Sequence, residues 1–142
     1  MQNEQRLVAP ARYEAVGQSC QFVAQAAKSA GLDDQAVFHV QLAVDEAITN
    51  IIEHAYGGEN RGDISITCGV EAGSFLILLV DQGQAFNPDT IPSPRLTLAP
   101  SELRIGGLGL HFMRTLMDRV EFYFRPGRNE LLMFKQLDQD VR

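Results

Sequence analysis

Length, composition and charge restrict the possible classes of protein. The chain has 142 residues, a length typical of one domain with a single hydrophobic core. Hydrophobic residues make up 45% and charged residues 21%, as in ordinary globular proteins, and the formal net charge is -6. The acidic balance and the lack of a Lys/Arg cluster argue against a nucleic-acid-binding surface. The longest strongly apolar run, Phe75 to Val80, is far too short to span a bilayer.

The N-terminal segment and the two cysteines bear on the cellular compartment of the protein. The segment MQNEQRLVAP is polar and lacks the apolar core of a signal peptide. Cys20 and Cys68 have no metal-ligand spacing, and each falls in a segment of apolar periodicity. We predict buried thiols in a reducing cytoplasm, with a disulfide as the alternative.

The order of the predicted elements indicates the fold class. Apolar residues at spacings of three and four predict helices, and strict alternation predicts strands. This order predicts an α/β (α+β) two-layer sandwich in one domain over residues 1–142, with helices on one face of a mixed, mostly antiparallel sheet. The predicted elements, in chain order, are a strand over Leu7–Ala9, a helix over Ala11–Ala30, a helix from Asp33 or Asp34 to about Tyr56, strands over Ile64–Val70 and Phe75–Asp81, a long loop over Gln82–Ile105, a helix over about Gly109–Met117, and strands over about Arg119–Phe124 and Leu131–Gln136, joined by Pro126 to Asn129.

Three polar side chains form one row along the second predicted helix. Glu46, Asn50 and His54 are four residues apart, and Glu46 and Asn50 border the apolar face of that helix. An unpaired polar group at such a border is costly, so both need partners. A metal ion and a phosphorylated ligand would supply them. The ordinary alternative is a solvated polar face, with His54 as a structural histidine near a helix end.

The long predicted loop begins with the segment DQGQAF. Asp81 ends a predicted central strand, and Gly83 lets the backbone pass close to a ligand. A carboxylate at this position can accept a hydrogen bond from the exocyclic amine of an adenine. The alternative is an ordinary Asx turn after a strand.

The loop ends with the segment IGGLGL, Ile105 to Leu110, which runs directly into a predicted helix. Glycines before a helix let backbone N–H groups converge on an anion, and the helix N-terminus adds partial positive charge. This arrangement suits a polyphosphate, although neither a P-loop nor a dinucleotide fingerprint is present. The alternative is a plain hinge.

Taken together, three motifs resemble the GHKL ATPase superfamily. They are Glu46-x-x-x-Asn50 on a helix, Asp81-x-Gly83-x-x-Phe86 after a strand, and Gly107-x-Gly109 before a helix. The segments VDEAITNIIEHAY and GGLGLHFMRTLMDRVEF are similar to the small bacterial branch of anti-sigma factors with serine-protein kinase activity, the RsbW and SpoIIAB type. The resemblance spans about residues 7–137. It implies the Bergerat fold, with ATP held between helices and an ATP lid over about residues 87–106.

The resemblance also implies roles on the second helix and in the lid. Glu46 would be the catalytic base that takes the proton from an attacking hydroxyl. Asn50 would bind Mg²⁺ through its side-chain oxygen, with the triphosphate and water as the other ligands. Arg104 could reach the γ-phosphate, although a solvated lid arginine is the alternative.

The remaining implied roles concern the nucleotide. Asp81 would recognise the adenine amine, Gly83 would make room for the base, and Phe86 completes that motif. The phosphates would be bound by the glycine-rich backbone, at Gly107, Leu108, Gly109 and Leu110.

The function implied is that of an ATP-dependent serine/threonine-protein kinase acting as an anti-sigma-type regulator in the cytoplasm. Its substrate would be a small STAS-domain anti-anti-sigma protein, and a sigma factor or similar regulator would be the exchanged partner. A homodimer is also compatible with the resemblance. The alternative is a non-catalytic ATP-binding switch that sequesters a sigma factor or other regulator. Glu46 favours the kinase, because a pure switch needs no base.

Overall fold

The structure, a computed structural model, describes residues 1–88 and 109–137, and for residues 109–112 it describes the backbone alone. A 3₁₀ turn over Tyr13–Ala15 precedes the first α-helix, and a π-helical turn over Ile51–Ala55 follows the second. The strands and α-helices, in chain order, are β1 (Gln2–Pro10), α1 (Val16–Ala30), α2 (Asp34–Asn50), β2 (Asp63–Glu71), β3 (Ser74–Asp81), α3 (Gly109–Leu116), β4 (Arg119–Arg125) and β5 (Arg128–Gln136).

The strands form one antiparallel sheet in the order β1-β2-β3-β5-β4. Helix α2 packs between α1 and α3, and the hydrophobic core lies between this helical layer and the sheet. The predicted two-layer α/β fold with a mostly antiparallel sheet is confirmed. Within the described residues, no helix is long and apolar enough to cross a membrane.

Both cysteines are free thiols, as predicted. Cys68 is fully buried in the core and Cys20 is half-buried against it. Burial raises the pKa of each thiol to about 12. Neither thiol is therefore ionised at neutral pH, which suits a packing role.

Strand β1 is longer than the predicted three residues. It pairs with β2 from Pro10 opposite Asp63 to Gln2 opposite Val70. Its first residues are polar and exposed because β1 is an edge strand of the sheet. An exposed edge strand needs no apolar alternation, and so its first half could not be recognised from hydropathy.

Helix α2 begins as predicted but ends earlier. The Asp33 carboxylate accepts a hydrogen bond from the Ala36 N–H at 2.8 Å, so this residue is the N-cap. The regular helix stops at Asn50, and in the π turn the Tyr56 N–H donates to the Ile51 carbonyl at 2.9 Å. The prediction of one regular helix to Tyr56 was therefore wrong. The apolar residues of this stretch fit either helical period, which hid the change from the sequence.

Strand β5 begins three residues earlier than predicted. Arg125 pairs with Arg128, so the turn consists of Pro126 and Gly127, and Gly127 has a φ of 72°. Proline followed by a glycine with positive φ is the signature of a type II turn. Asn129 was assigned to this turn, but it lies in β5, directly opposite Asp81 of β3.

The long loop predicted over residues 82–105 is described only over 82–88, and the ATP lid predicted over residues 87–106 lies outside the described residues apart from 87 and 88. The described chain stops after Pro88 and resumes at Gly109.

Candidate active site

Glu46 is a buried carboxylate, and one of its oxygens has no partner among the described residues. Glu46 is 7% exposed, and Oε2 accepts no hydrogen bond from residues 1–88 or 109–137. Burial, with smaller contributions from the neighbouring carboxylates of Asp45 and Glu53, raises its pKa to about 7. A carboxylate that exchanges its proton near neutral pH has the property that a general base needs.

Asn50 lies one turn beyond Glu46 and is 5% exposed. Its amide makes no hydrogen bond to another described residue, although it is buried at the wall of a pocket. The pocket lies between helix α2, strands β3, β4 and β5, and helix α3. Its lining residues are Ala47, Asn50, Ile51, Asp81, Phe86, Met113, Phe122, Phe124, Asn129, Glu130 and Leu131.

The side chains near Asn50 fit a metal ion that is coordinated mainly by a bound phosphate ligand and water, with few ligands from the protein. In the described ranges, 1–88 and 109–137, no group of three or more His, Cys, Asp or Glu side chains could hold a metal ion. A single amide oxygen suits Mg²⁺, which usually takes one or two protein ligands together with substrate phosphates and water.

Asp81 ends β3 inside the same pocket and is 3% exposed. Its Oδ1 accepts hydrogen bonds from the Gly83 N–H at 2.9 Å and from the Asn129 amide at 2.8 Å. Burial raises the pKa of Asp81, and these two hydrogen bonds oppose that rise. The bond from Gly83 forms the Asx turn considered as an alternative. Since Oδ2 accepts no hydrogen bond from the described residues, this oxygen is available to a ligand.

Asn129 is the residue that sequence reasoning missed. It is 4% exposed, and its amide donates to Asp81 Oδ1, to the Gly83 carbonyl at 3.1 Å and to the Gln84 carbonyl at 3.1 Å. One side chain thereby fixes both the carboxylate and the loop that follows it. Continuing the alternation of Met133 and Leu131 back by two residues would have placed Asn129 on the core face.

Gly83 is required by a contact within the protein. A Cβ at this position would lie 2.5 Å from the carbonyl carbon and oxygen of Ala55, which is closer than any side chain tolerates. The Gln84 N–H donates to that same carbonyl at 2.8 Å. The close approach expected at Gly83 is thus made to the π turn, and the loop after β3 rests on the end of this turn.

Aromatic rings form one wall of the pocket. The centroid of the Phe86 ring lies 5.7 Å from that of His54, 5.4 Å from Phe124 and 6.5 Å from Phe122. His54 lies in the π turn, and its ring packs against Phe86 of this wall. The structural role expected for His54 at the helix end stays a prediction.

The predicted phosphate-binding segment is described only from Gly109 onwards. Gly109 and Leu110 form the start of α3, whereas Arg104, Gly107 and Leu108 lie outside the described residues. Met113, one turn into α3, is fully buried and lines the pocket together with Asn50. Helix α3 therefore borders the same pocket as α2 and the end of β3.

Comparison with known sequences identifies the family. The family described as histidine kinase-like ATPase domain matches residues 9–135. The chain belongs to this family. It is 34% identical over 122 residues to the serine-protein kinase RsbW of Bacillus velezensis, covering 83% of this chain and 76% of that protein. It is 32% identical over 134 residues to the RsbW of Listeria innocua, covering 89% and 83%.

Solved structures share the fold. The RsbU and RsbW domains of Rv1364c from Mycobacterium tuberculosis match with a TM-score of 0.69 and 16% identity, over 98% of this chain and 34% of that one. A blue-light-activated histidine kinase of Erythrobacter litoralis matches with a TM-score of 0.53 and 17% identity, over 75% of this chain and 32% of that one. Together with the family match, these findings confirm the resemblance to the GHKL superfamily and to its small RsbW-like kinase branch.

Proposed function

We propose that this chain is an ATP-dependent serine/threonine-protein kinase that acts as an anti-sigma-type regulator. The observation that carries the proposal is the buried carboxylate of Glu46, whose Oε2 has no partner among the described residues and which lies one turn from the pocket-lining Asn50. The relatives named serine-protein kinase RsbW support the enzyme class. A protein that only bound nucleotide would gain nothing from a buried orphan carboxylate, which costs stability.

ATP is the substrate that the pocket and the family support. Asp81 Oδ2 would accept a hydrogen bond from the exocyclic amine of adenine, while hydrogen bonds from Gly83 and Asn129 hold Oδ1 in place. Phe86 would contribute the apolar wall. The backbone at the start of α3 would bind the phosphates, through Gly109 and Leu110 together with Gly107 and Leu108, and Arg104 would approach the γ-phosphate.

Asn50 would hold Mg²⁺ through its side-chain oxygen. When bound, the metal would neutralise charge on the β- and γ-phosphates. The residues of the chain supply mainly positioning, because phosphoryl transfer requires little covalent chemistry from a protein.

Glu46 would act on the acceptor hydroxyl. The hydroxyl oxygen of a serine or threonine forms a bond to the γ-phosphorus, and the bond between that phosphorus and the β–γ bridging oxygen breaks, so that ADP leaves. The hydroxyl proton goes to Glu46 Oε2. A positioned base of this kind typically contributes about 10²–10⁴-fold.

The partners are proposed from the family resemblance. The phosphorylated protein would be a small STAS-domain anti-anti-sigma factor, and a sigma factor or similar regulator would be bound when this antagonist is phosphorylated. Exchange between the two partners would control transcription, which would place the protein in the cytoplasm. A homodimer would offer such partners two equivalent surfaces.

Phosphate transfer in a bacterial lysate tests the proposal. Purified chain, Mg²⁺ and γ-labelled ATP are added to host lysate that was treated with phosphatase and then cleared of it. Glu46→Gln serves as the matched variant, and ATP binding to both forms is measured in parallel. We expect a small protein to be labelled on serine or threonine by the wild type alone, with ATP bound by both. Equal binding with no labelled protein would contradict the kinase and favour the non-catalytic switch.

A further inference from the structure

Two exposed apolar side chains lie on helix α2 in line with the candidate base. Phe38 is 56% exposed and Leu42 is 41% exposed. They are four residues apart, and Leu42 is four residues before Glu46. Residues at this spacing lie on one side of a helix, so the pair forms an apolar ridge that leads along α2 to Glu46.

This apolar ridge, Phe38 and Leu42, differs from the exposed surface of the neighbouring helix. The solvent-facing residues of α1 are polar, as at Gln21, Gln25 and Lys28. Single exposed apolar residues are common and need no explanation, but two successive ones that end at an unpartnered buried carboxylate form a continuous surface.

The position of Glu46 defines what must cover this ridge. Its carboxylate is only 7% exposed, so an acceptor hydroxyl reaches Oε2 only if the protein that carries it sits closely against α2. A partner seated on the first half of α2 would have its contacts one and two helical turns from the base, and this separation allows a neighbouring serine or threonine to enter the site.

Charge on α2 narrows the chemistry of this partner. The helix contains Asp34, Asp45 and Glu46 but no lysine or arginine, and the whole chain has a formal net charge of -6. Asp34 is exposed and Asp45 is half-buried. A complementary partner therefore presents an apolar side chain flanked by basic residues.

We propose that Phe38 and Leu42 form the docking surface for the protein that carries the acceptor hydroxyl, which seats an apolar side chain flanked by lysine or arginine on them. The proposal rests on the proposed function, since it assigns a surface to the protein substrate of that kinase. It assigns no role in nucleotide binding to either residue.

Steady-state kinetics tests this docking surface. The probe is the protein that wild-type chain labels with γ-labelled ATP, identified by mass spectrometry and then purified. Its phosphorylation is measured with wild type, Phe38→Gln and Leu42→Gln, where glutamine keeps a good helix former in α2. The matched control is Val8→Thr, since Val8 is 52% exposed on the edge strand β1.

We expect each α2 variant to raise KM for this protein by about tenfold, the effect of losing a contact of moderate strength at an interface. We expect kcat, ATP affinity and circular dichroism to match the wild type, because such a loss affects ground state and transition state equally. Val8→Thr should leave KM unchanged.

Two results would overturn the docking surface. One is a KM within about twofold of wild type for both α2 variants. The other is dissociation of an oligomer by these variants in sedimentation, with KM unchanged, which would assign the ridge to a second copy of this chain. Absence of any protein labelled by the wild type would instead contradict the kinase itself, so the two failures are distinguishable.

Discussion

Glu46 and Asp81 are both buried carboxylates with a raised pKa, but their surroundings differ. Asp81 accepts two hydrogen bonds at Oδ1 and is held in one orientation, whereas Oε2 of Glu46 accepts none from the part of the chain that the structure describes. The partnered carboxylate is suited to recognising a hydrogen-bond donor at a fixed position. The carboxylate of Glu46 is suited to taking up a proton, because no described residue donates a hydrogen bond to Oε2 that would stabilise the charged form. The difference agrees with the proposed roles, binding for Asp81 at the pocket and catalysis for Glu46 one turn from Asn50.

The largest expected effect is on phosphate transfer. Glu46→Gln keeps the size and burial of the side chain but cannot accept a proton, so we expect the transfer rate to fall by about 10²–10⁴-fold. ATP affinity should stay within a few-fold, as measured by equilibrium titration alongside single-turnover kinetics. A variant that lost ATP binding to the same degree as transfer would show that Glu46 is a binding residue, and the contrast with Asp81 would disappear.

The same substitution should change how stability depends on pH. The proton of Glu46 leaves the unfolded chain near pH 4.5 and the folded protein near pH 7, so wild-type stability falls as the pH rises through this window. We expect Glu46→Gln to be more stable than wild type by up to about 3 kcal/mol at pH 8, with the difference closing towards pH 4. Urea unfolding at several pH values measures it. Asp34→Asn on the exposed surface of α2 is the control, and a pH-independent difference for Glu46→Gln would contradict the burial argument.

Asp81→Asn tests the partnered carboxylate. The amide oxygen can still accept the bonds from Gly83 and Asn129, but an N–H₂ donor then replaces Oδ2. We expect ATP affinity to fall by about 10–100-fold, because two donors would face each other. Inosine triphosphate presents an acceptor in place of the adenine amine, so its affinity relative to ATP should rise. An unchanged ratio of the two affinities would show that Asp81 does not recognise the base.

Asn129→Ala is expected to have the smallest effect of the three site substitutions. It removes the donor from Asp81 and leaves the carbonyls of Gly83 and Gln84 without that partner. The free energy of unfolding should fall by about 1–2 kcal/mol, with a several-fold loss of ATP affinity. Thermal unfolding and nucleotide titration measure both. A change in stability below about 0.5 kcal/mol would show that water replaces the lost hydrogen bonds to these carbonyls. Of the two hydrogen bonds to Asp81, only that from Gly83 would then remain.

Glu46 and Asp81 could be predicted from sequence, whereas the reasons for their difference could not. A carboxylate beside the apolar face of a helix, and another at the end of an apolar strand, are visible as local patterns. The partner of Asp81 depends on the pairing of β3 with β5, 48 residues away in sequence. Such a register is fixed by tertiary packing and by the position of the turn, which was predicted two residues too long.

The same division applies to the fold: features with local causes could be predicted from the sequence, and features caused by distant contacts could not. The N-cap is a local signal, and the structure selects Asp33 from the two predicted candidates, Asp33 and Asp34. The π turn lies where the end of α2 contacts the loop after β3. This contact cannot be predicted from the hydropathy of the local sequence. Gly83 was noticed for its freedom of approach, but only the fold reveals that Ala55 is the group approached.

The contact between the π turn and the loop after β3 has a consequence for the entropy of nucleotide binding. The amides of Gln82 and Gln84 are both bonded, to the Tyr56 hydroxyl at 3.0 Å and to the Ala55 carbonyl at 2.8 Å. In hydrogen exchange these loop amides should therefore exchange as slowly as those of the neighbouring strand. Fixing a flexible residue costs about 1–2 kcal/mol, and here that cost is met when the chain folds. The end of the pocket proposed to bind the base is thus preorganised, so that none of the binding energy of adenine would be spent on ordering it.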